Sequence, residues 1–97
     1  MNDDMDLIIK NGTIITASES YKADIAVKNG KIEMISENIQ AAGERVVDAA
    51  GKLVLPGAID AHVHLELPVG ETVSADSYEA GTRAAACGGT TMVFDFV

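Results

Sequence analysis

Tryptophan is absent from this chain, and phenylalanine and tyrosine occur only twice each in 97 residues. Basic grooves with aromatic platforms for stacked bases have little to be built from. Cations are scarce too: 7 Lys and Arg stand against 15 Asp and Glu, a formal net charge of -8. That balance argues against nucleic acid or an anionic membrane surface as a partner. The one cysteine, Cys87, excludes an internal disulfide and fits a reducing compartment. No apolar run approaches the roughly 18 residues of a membrane span. No basic segment followed by an apolar core marks a secretory signal. A soluble, cytoplasmic protein is the expectation, with Asp3, Asp4 and Asp6 as a solvated end. Histidine is scarce as well. The only two, His62 and His64, lie one residue apart.

The chain up to Leu55 reads as short β-strands joined by turns, the pattern of a sandwich or open barrel. Leu7-Ile8-Ile9, Lys10-Asn11-Gly12 and Thr13-Ile14-Ile15 spell a hairpin, because Asn-Gly favours the positive φ angles of a tight turn. The same grammar recurs, more strongly, at Asp24–Val27, Lys28-Asn29-Gly30-Lys31 and Ile32–Ile35. Ser36–Gly43 is polar, a loop or a short helical turn. Arg45–Asp48 and Lys52–Leu55 are further short strands, and the second stops at Pro56-Gly57.

Beyond Pro56-Gly57 the pattern changes. Ala58–His64 reads as a strand and Leu65–Val73 as a loop. Asp76-Ser77-Tyr78-Glu79 places a cap with a glutamate three residues on. A helix over Ser77–Cys87 then ends at Gly88-Gly89. Thr90–Val97 is β-branched and apolar, a buried strand. Strand, helix, strand makes a βαβ unit with parallel strands. A parallel sheet needs both faces covered, so the sequence reads as the front part of something larger.

In a strand, residues two apart share a face. His62 and His64 therefore project together, with Asp60 one step behind, while Ala61, Val63 and Leu65 form an apolar back. Two imidazoles on one face can reach one ion at about 2.0–2.1 Å each. Spacing alone leaves two readings open, a metal-binding pair and a solvent-facing pair on an edge strand. Position favours the metal, because ligands collect at the carboxyl ends of parallel strands. A catalytic zinc takes three protein ligands and a structural one four, so further donors have to come from outside these residues.

Leu53-Val54-Leu55-Pro56-Gly57, Ile59-Asp60 and His62-Val63-His64 together resemble the opening signature of the amidohydrolase superfamily. The likeness continues through Leu65-Glu66-Leu67-Pro68 and from Asp76 through Gly81-Thr82-Arg83-Ala84-Ala85-Ala86 to Gly88-Gly89-Thr90-Thr91. There it looks like the dihydropyrimidinase and hydantoinase branch of cyclic amidohydrolases. The resemblance implies an α/β fold: the start of a (β/α)8 TIM barrel (first strand, helix, second strand) over 56–97. Part of a small β-sandwich domain, residues 1–55, precedes it.

The resemblance also implies chemistry. His62 and His64 match the pair that binds the more buried of two divalent ions, zinc by expectation. The bridging lysine, two later histidines and a late aspartate of such enzymes have no counterpart here, so no catalytic residue is assigned within the chain. The implied reaction is metal-assisted hydrolysis of a ring amide to an N-carbamoyl amino acid, by an enzyme that is a homo-oligomer, tetramer or dimer. Dihydroorotases carry an arginine two residues after the second histidine. This chain has Glu66, which would repel a carboxylate and so favours a neutral cyclic ureide. Leu65, Leu67 and Val69 are the candidates to touch the ring substituent. Asp60 is either an acceptor orienting an imidazole or a partner in a local backbone bond. Asp95, among apolar neighbours, needs a partner and is expected as a polar barrel-interior residue. Cys87 is expected as a small core residue and Arg83 as a surface charge. Alternatives are another cyclic amidohydrolase (allantoinase, dihydroorotase), a non-catalytic relative acting in assembly or binding, or a β module that pairs through its free edges.

Overall fold

The computed structural model describes residues 4–66, 68–69, 72–73 and 77–95. The chain divides into two compact units, Met1–Leu55 and Pro56–Val97.

The first unit is a mixed sheet of β1 (Met5–Ile15), β2 (Ser20–Lys28), β3 (Lys31–Ser36), β4 (Gly43–Asp48) and β5 (Leu53–Val54). Its order is β3-β2-β1-β4, with β5 also paired to β1. β2 runs antiparallel to both β1 and β3. β4 and β5 run parallel to β1 along successive stretches, first Met5–Lys10 and then Thr13–Ile14. Two apolar clusters form around the central strands. Met5, Ile8, Ala26 and Ile39 make one, and Ile14, Ala23 and Ile25 make the other with Tyr21, Val27 and Val54 against them.

The two Lys-Asn-Gly segments have different fates. The second makes the expected hairpin: Asn29 (φ 53°) and Gly30 (φ 74°) both take the positive φ of a two-residue turn. Asp6, expected as part of a solvated end, accepts the Asn29 N–H at 2.7 Å and ties the turn to β1. The first is not a hairpin. β1 runs straight through it, and the register against β2 jumps from Ile9↔Ile25 to Gly12↔Ala23. Lys10 and Asn11 thus oppose Asp24 alone, a β-bulge with Asn11 at φ 66°. The cause is a long-range partner: Asp24 Oδ1 accepts the Asn11 N–H at 2.8 Å, and Asn11 Nδ2 donates to Asp48 Oδ1 at 3.1 Å. The chain reverses later, where Thr16 N–H donates to Glu19 O and Thr16 Oγ1 accepts from Ser18 and Glu19.

The second unit contains β6 (Ala58–Val63), β7 (Pro68–Val69), β8 (Thr72–Val73), α1 (Tyr78–Cys87) and β9 (Thr90–Asp95). β6 and β9 are parallel, as a βαβ unit requires. β7 and β8 form a short antiparallel pair inside the stretch expected as a plain loop. The cap of α1 is Ser77, which accepts from Ala80 N–H at 3.1 Å; Asp76 lies outside the described residues. With the cap at 77 the third residue on is Ala80, so no reciprocal glutamate exists. Glu79 instead accepts from Arg83 at 3.0 Å, an exposed pair that contributes little. The helix stops at Gly88, and Gly89 (φ 93°) turns the chain into β9. Cys87 is exposed, not in a core, because α1 buries none of its residues. Among the described residues no helix is long and apolar enough to cross a membrane.

Gly57 sets how closely the two parallel strands start. A Cβ there would collide with the Cβ, Cγ2 and Oγ1 of Thr91, while the next residue, Ala58, donates its N–H to Gly89 O at 2.9 Å. Thr91 is β-branched and cannot swing clear cheaply. Gly57→Ala is therefore expected to cost about 1–3 kcal/mol. Thermal denaturation checks this, and adding Thr91→Gly should recover part of the loss.

Candidate metal centre

β6 delivers His62 as its next-to-last residue and His64 just past its end. The alternation of the strand turns Val63 away and brings the rings together. Their centroids lie 4.9 Å apart with the planes at 77°, and Nε2 of His62 is 3.0 Å from Nε2 of His64. Both side chains are exposed. Two tautomer arrangements suit that distance. Either one Nε2–H donates to the other Nε2, or both rings carry their proton on Nδ1. In the second arrangement two lone pairs converge on one point, and a cation is what relieves their repulsion.

The pair fits a metal. Nitrogens bound at about 2.0–2.1 Å to one tetrahedral ion stand about 3.3–3.4 Å apart, within a few tenths of the observed 3.0 Å. Among the described residues no group of three or more His, Cys, Asp or Glu side chains gathers around one point. These residues therefore offer two donors.

Asp60, the third polar residue of that face, accepts the backbone N–H of His62 on Oδ1 at 3.2 Å. Of its two expected roles the structure displays the local backbone bond. It steadies the strand that carries the imidazole.

The turn after His64 is held by a set of bonds that sequence reasoning only partly foresaw. Asp95, at the end of β9 and partly buried, accepts the Leu65 N–H on Oδ1 at 3.2 Å. The same carboxylate, with its charge, raises the Tyr78 phenol pKa above its usual value. Glu66 takes a left-handed conformation, φ 53°. Its Oε2 accepts the Tyr78 N–H at 2.6 Å, at the first residue of α1. A carboxylate at a helix N-terminus meets the positive end of the helix dipole. The expected repulsion of an anionic substrate by Glu66 thus concerns a charge already engaged by the helix. Leu65 is half-buried against the same helix: a Cβ on Gly81 would collide with Leu65 Cδ2. Leu67 lies outside the described residues, as does the side chain of Val69.

Comparison with known proteins bears on these residues. The Amidohydrolase family model matches residues 53–97, which include both histidines, and the Urease alpha-subunit, N-terminal domain model matches residues 1–50. The chain is 51% identical over 92 residues to the D-hydantoinase of Geobacillus stearothermophilus. The chain belongs to the amidohydrolase family. It is also 50% identical over 92 residues to the dihydropyrimidinase of Dictyostelium discoideum. These alignments take in 95% and 94% of the chain but only 20% and 18% of the relatives. A solved D-hydantoinase superposes with a TM-score of 0.89 at 51% identity, over 95% of this chain and 20% of that one. The chain thus spans about a fifth of the length of the curated relatives it matches.

Family membership implies dependence on a divalent metal, in keeping with a pair of converging imidazoles. For an amidohydrolase chain, the residues that sequence reading undervalued are Tyr78 and Glu66. Asp95 was recognisable as a carboxylate in need of a partner. Tyr78 gave a signal only through the helix start it occupies, and nothing local in the sequence pairs its N–H with Glu66.

Proposed function

We propose that this chain is part of a metal-dependent cyclic amidohydrolase that opens a dihydropyrimidine or hydantoin ring to an N-carbamoyl amino acid. The observation that carries the reading is the convergence of His62 and His64, Nε2 to Nε2 at 3.0 Å. The names of the relatives, D-hydantoinase and dihydropyrimidinase, supply the substrate class. In this reading residues 1–55 belong to a β-sandwich domain, and 56–97 form the first βαβ unit of a (β/α)8 barrel. The metal is zinc, with two ions in the full-length site, and the full-length protein is a homo-oligomer.

When bound, the ion supplies Lewis-acid polarisation of the ring carbonyl and activates water near neutral pH. The chain's own part is to hold and orient. His62 and His64 present two nitrogens at the carboxyl end of β6, where barrel enzymes place their chemistry. Asp60 steadies the backbone that leads into His62. Leu65, Leu67 and Val69 remain the residues proposed to meet the ring substituent, with Leu65 seated on Gly81. Two donors are fewer than the three of a catalytic zinc, so the remaining ligands and the proton-transferring carboxylate lie outside the described residues.

The test is turnover. The metal-loaded full-length protein is incubated with dihydrouracil and with hydantoin, and the N-carbamoyl product is measured. Ring opening that a chelator abolishes and metal restores is expected. No product from either ring, with metal bound at the histidines, would contradict the substrate class.

A further inference from the structure

We propose that Asp95 is a positioning residue for the metal pair, acting on His64 through the backbone of Leu65. The inference rests on the metal-site reading above and adds to it a residue from a different strand. Its geometry is specific. Asp95 ends β9, the parallel neighbour of β6, and Oδ1 accepts the N–H of the residue directly after His64 at 3.2 Å. β6 itself ends at Val63, and the ladder to β9 closes on the pair Val63↔Asp95. His64 is therefore the first residue beyond regular pairing, and its backbone direction is set by what grips the peptide after it. That grip is the Asp95 carboxylate.

The turn is also braced from α1. The Tyr78 N–H donates to Glu66 Oε2 at 2.6 Å. A helical residue thus fastens the left-handed Glu66 on the far side of the turn from Asp95. A non-glycine residue at φ 53° persists only where its surroundings over-determine it. Leu65, packed on Gly81, closes the same turn from its side-chain end. With so many restraints on 65 and 66, the His64 ring is presented in one orientation. Nε2 of His64 then meets Nε2 of His62 without an ordering cost at the moment of metal binding. Losing a partner that orients a ligand usually costs about 10–100-fold in metal affinity.

The experiment uses cobalt(II) as a spectroscopic probe in the full-length protein, comparing wild type with Asp95→Ala, Asp95→Asn and His62→Ala. Asp95→Ala is expected to bind cobalt about tenfold more weakly and to change its absorption spectrum. Asp95→Asn keeps an oxygen acceptor for the Leu65 N–H and is expected to restore both, which a general loss of packing would not do. A folded Asp95→Ala variant with wild-type affinity and spectrum overturns the proposal, as does an Asp95→Asn variant no better than the alanine. Should the alanine variant fail to fold, amide exchange in the wild type decides: a protected Leu65 N–H supports the proposal and an unprotected one overturns it. His62→Ala separates the two readings. If it binds cobalt as the wild type does, the metal pair itself is wrong and the positioning role falls with it. If it loses cobalt while Asp95→Ala does not, only the positioning role is wrong.

Discussion

His62→Ala and His64→Ala, each alone, are expected to strip the full-length protein of tightly held metal at that site and to abolish ring opening. The chain brings two nitrogen donors together at 3.0 Å, and removing either leaves a single imidazole. The site then loses one donor and the chelate that the pair makes. The loss in affinity should exceed the about 10–100-fold that follows from deleting an outer partner of a ligand. Metal content by elemental analysis after dialysis, with turnover beside it, reads the effect. The fold should survive, since both side chains are exposed and neither belongs to an apolar cluster. Unchanged circular dichroism with lost metal is the expected combination. His→Gln at either position should also lose metal, which separates the need for an imidazole nitrogen from the need for a polar side chain.

The second large effect falls in the β-sheet unit. Asp24 is 2% exposed, yet both its oxygens are engaged: Oδ1 takes the Asn11 N–H, and Oδ2 takes the Ile39 N–H at 3.0 Å and Lys10 Nζ at 3.3 Å. It joins the bulge in β1, the loop that carries Ile39 into the core, and a cation from β1. Asp24→Ala leaves two backbone donors and an ammonium without their acceptor, and is expected to cost about 3 kcal/mol. Urea denaturation of the protein measures it. The pH dependence has a definite sign. The Asn11 and Ile39 N–H bonds, then Lys10, hold this carboxyl below its usual range, against the opposing effect of burial. A group whose folded pKa is depressed stabilises the fold above its unfolded value, here about 3.8, and that stability is lost as pH falls through the lower folded pKa. Asp48, lowered by Asn11 and the Ala50 N–H, acts with the same sign. Stability of this unit should thus fall below about pH 4, and Asp24→Asn should flatten that acid limb.

Turn, cap and strand-alternation chemistry carried most of the fold. The second hairpin, the parallel pairing of β6 with β9 and the helix between them follow from local residue choice. The histidine pair was legible for the same reason, since a one-residue gap on a strand fixes a common face. Where local sequence misled, a distant partner decided. Lys10-Asn11-Gly12 and Lys28-Asn29-Gly30 are the same three residues. One is a bulge because Asp24 and Asp48 bind Asn11, and the other is a turn whose Asn29 N–H is taken by Asp6. The helix cap moved from Asp76 to Ser77, a one-residue ambiguity that two adjacent cap-forming residues create. Cys87, expected as a small core residue at the helix end, is exposed. The restraints on the turn after His64 were the least visible. Leu65 to Asp95 spans 30 residues and Glu66 to Tyr78 spans 12, and no local pattern encodes either pairing.

The measurement that tests the central claim most directly is anomalous diffraction at the zinc edge from crystals of the full-length protein. The account predicts an anomalous peak within about 2.0–2.1 Å of Nε2 of both His62 and His64. A peak held by other side chains, with the two imidazoles hydrogen-bonded to each other, would contradict it.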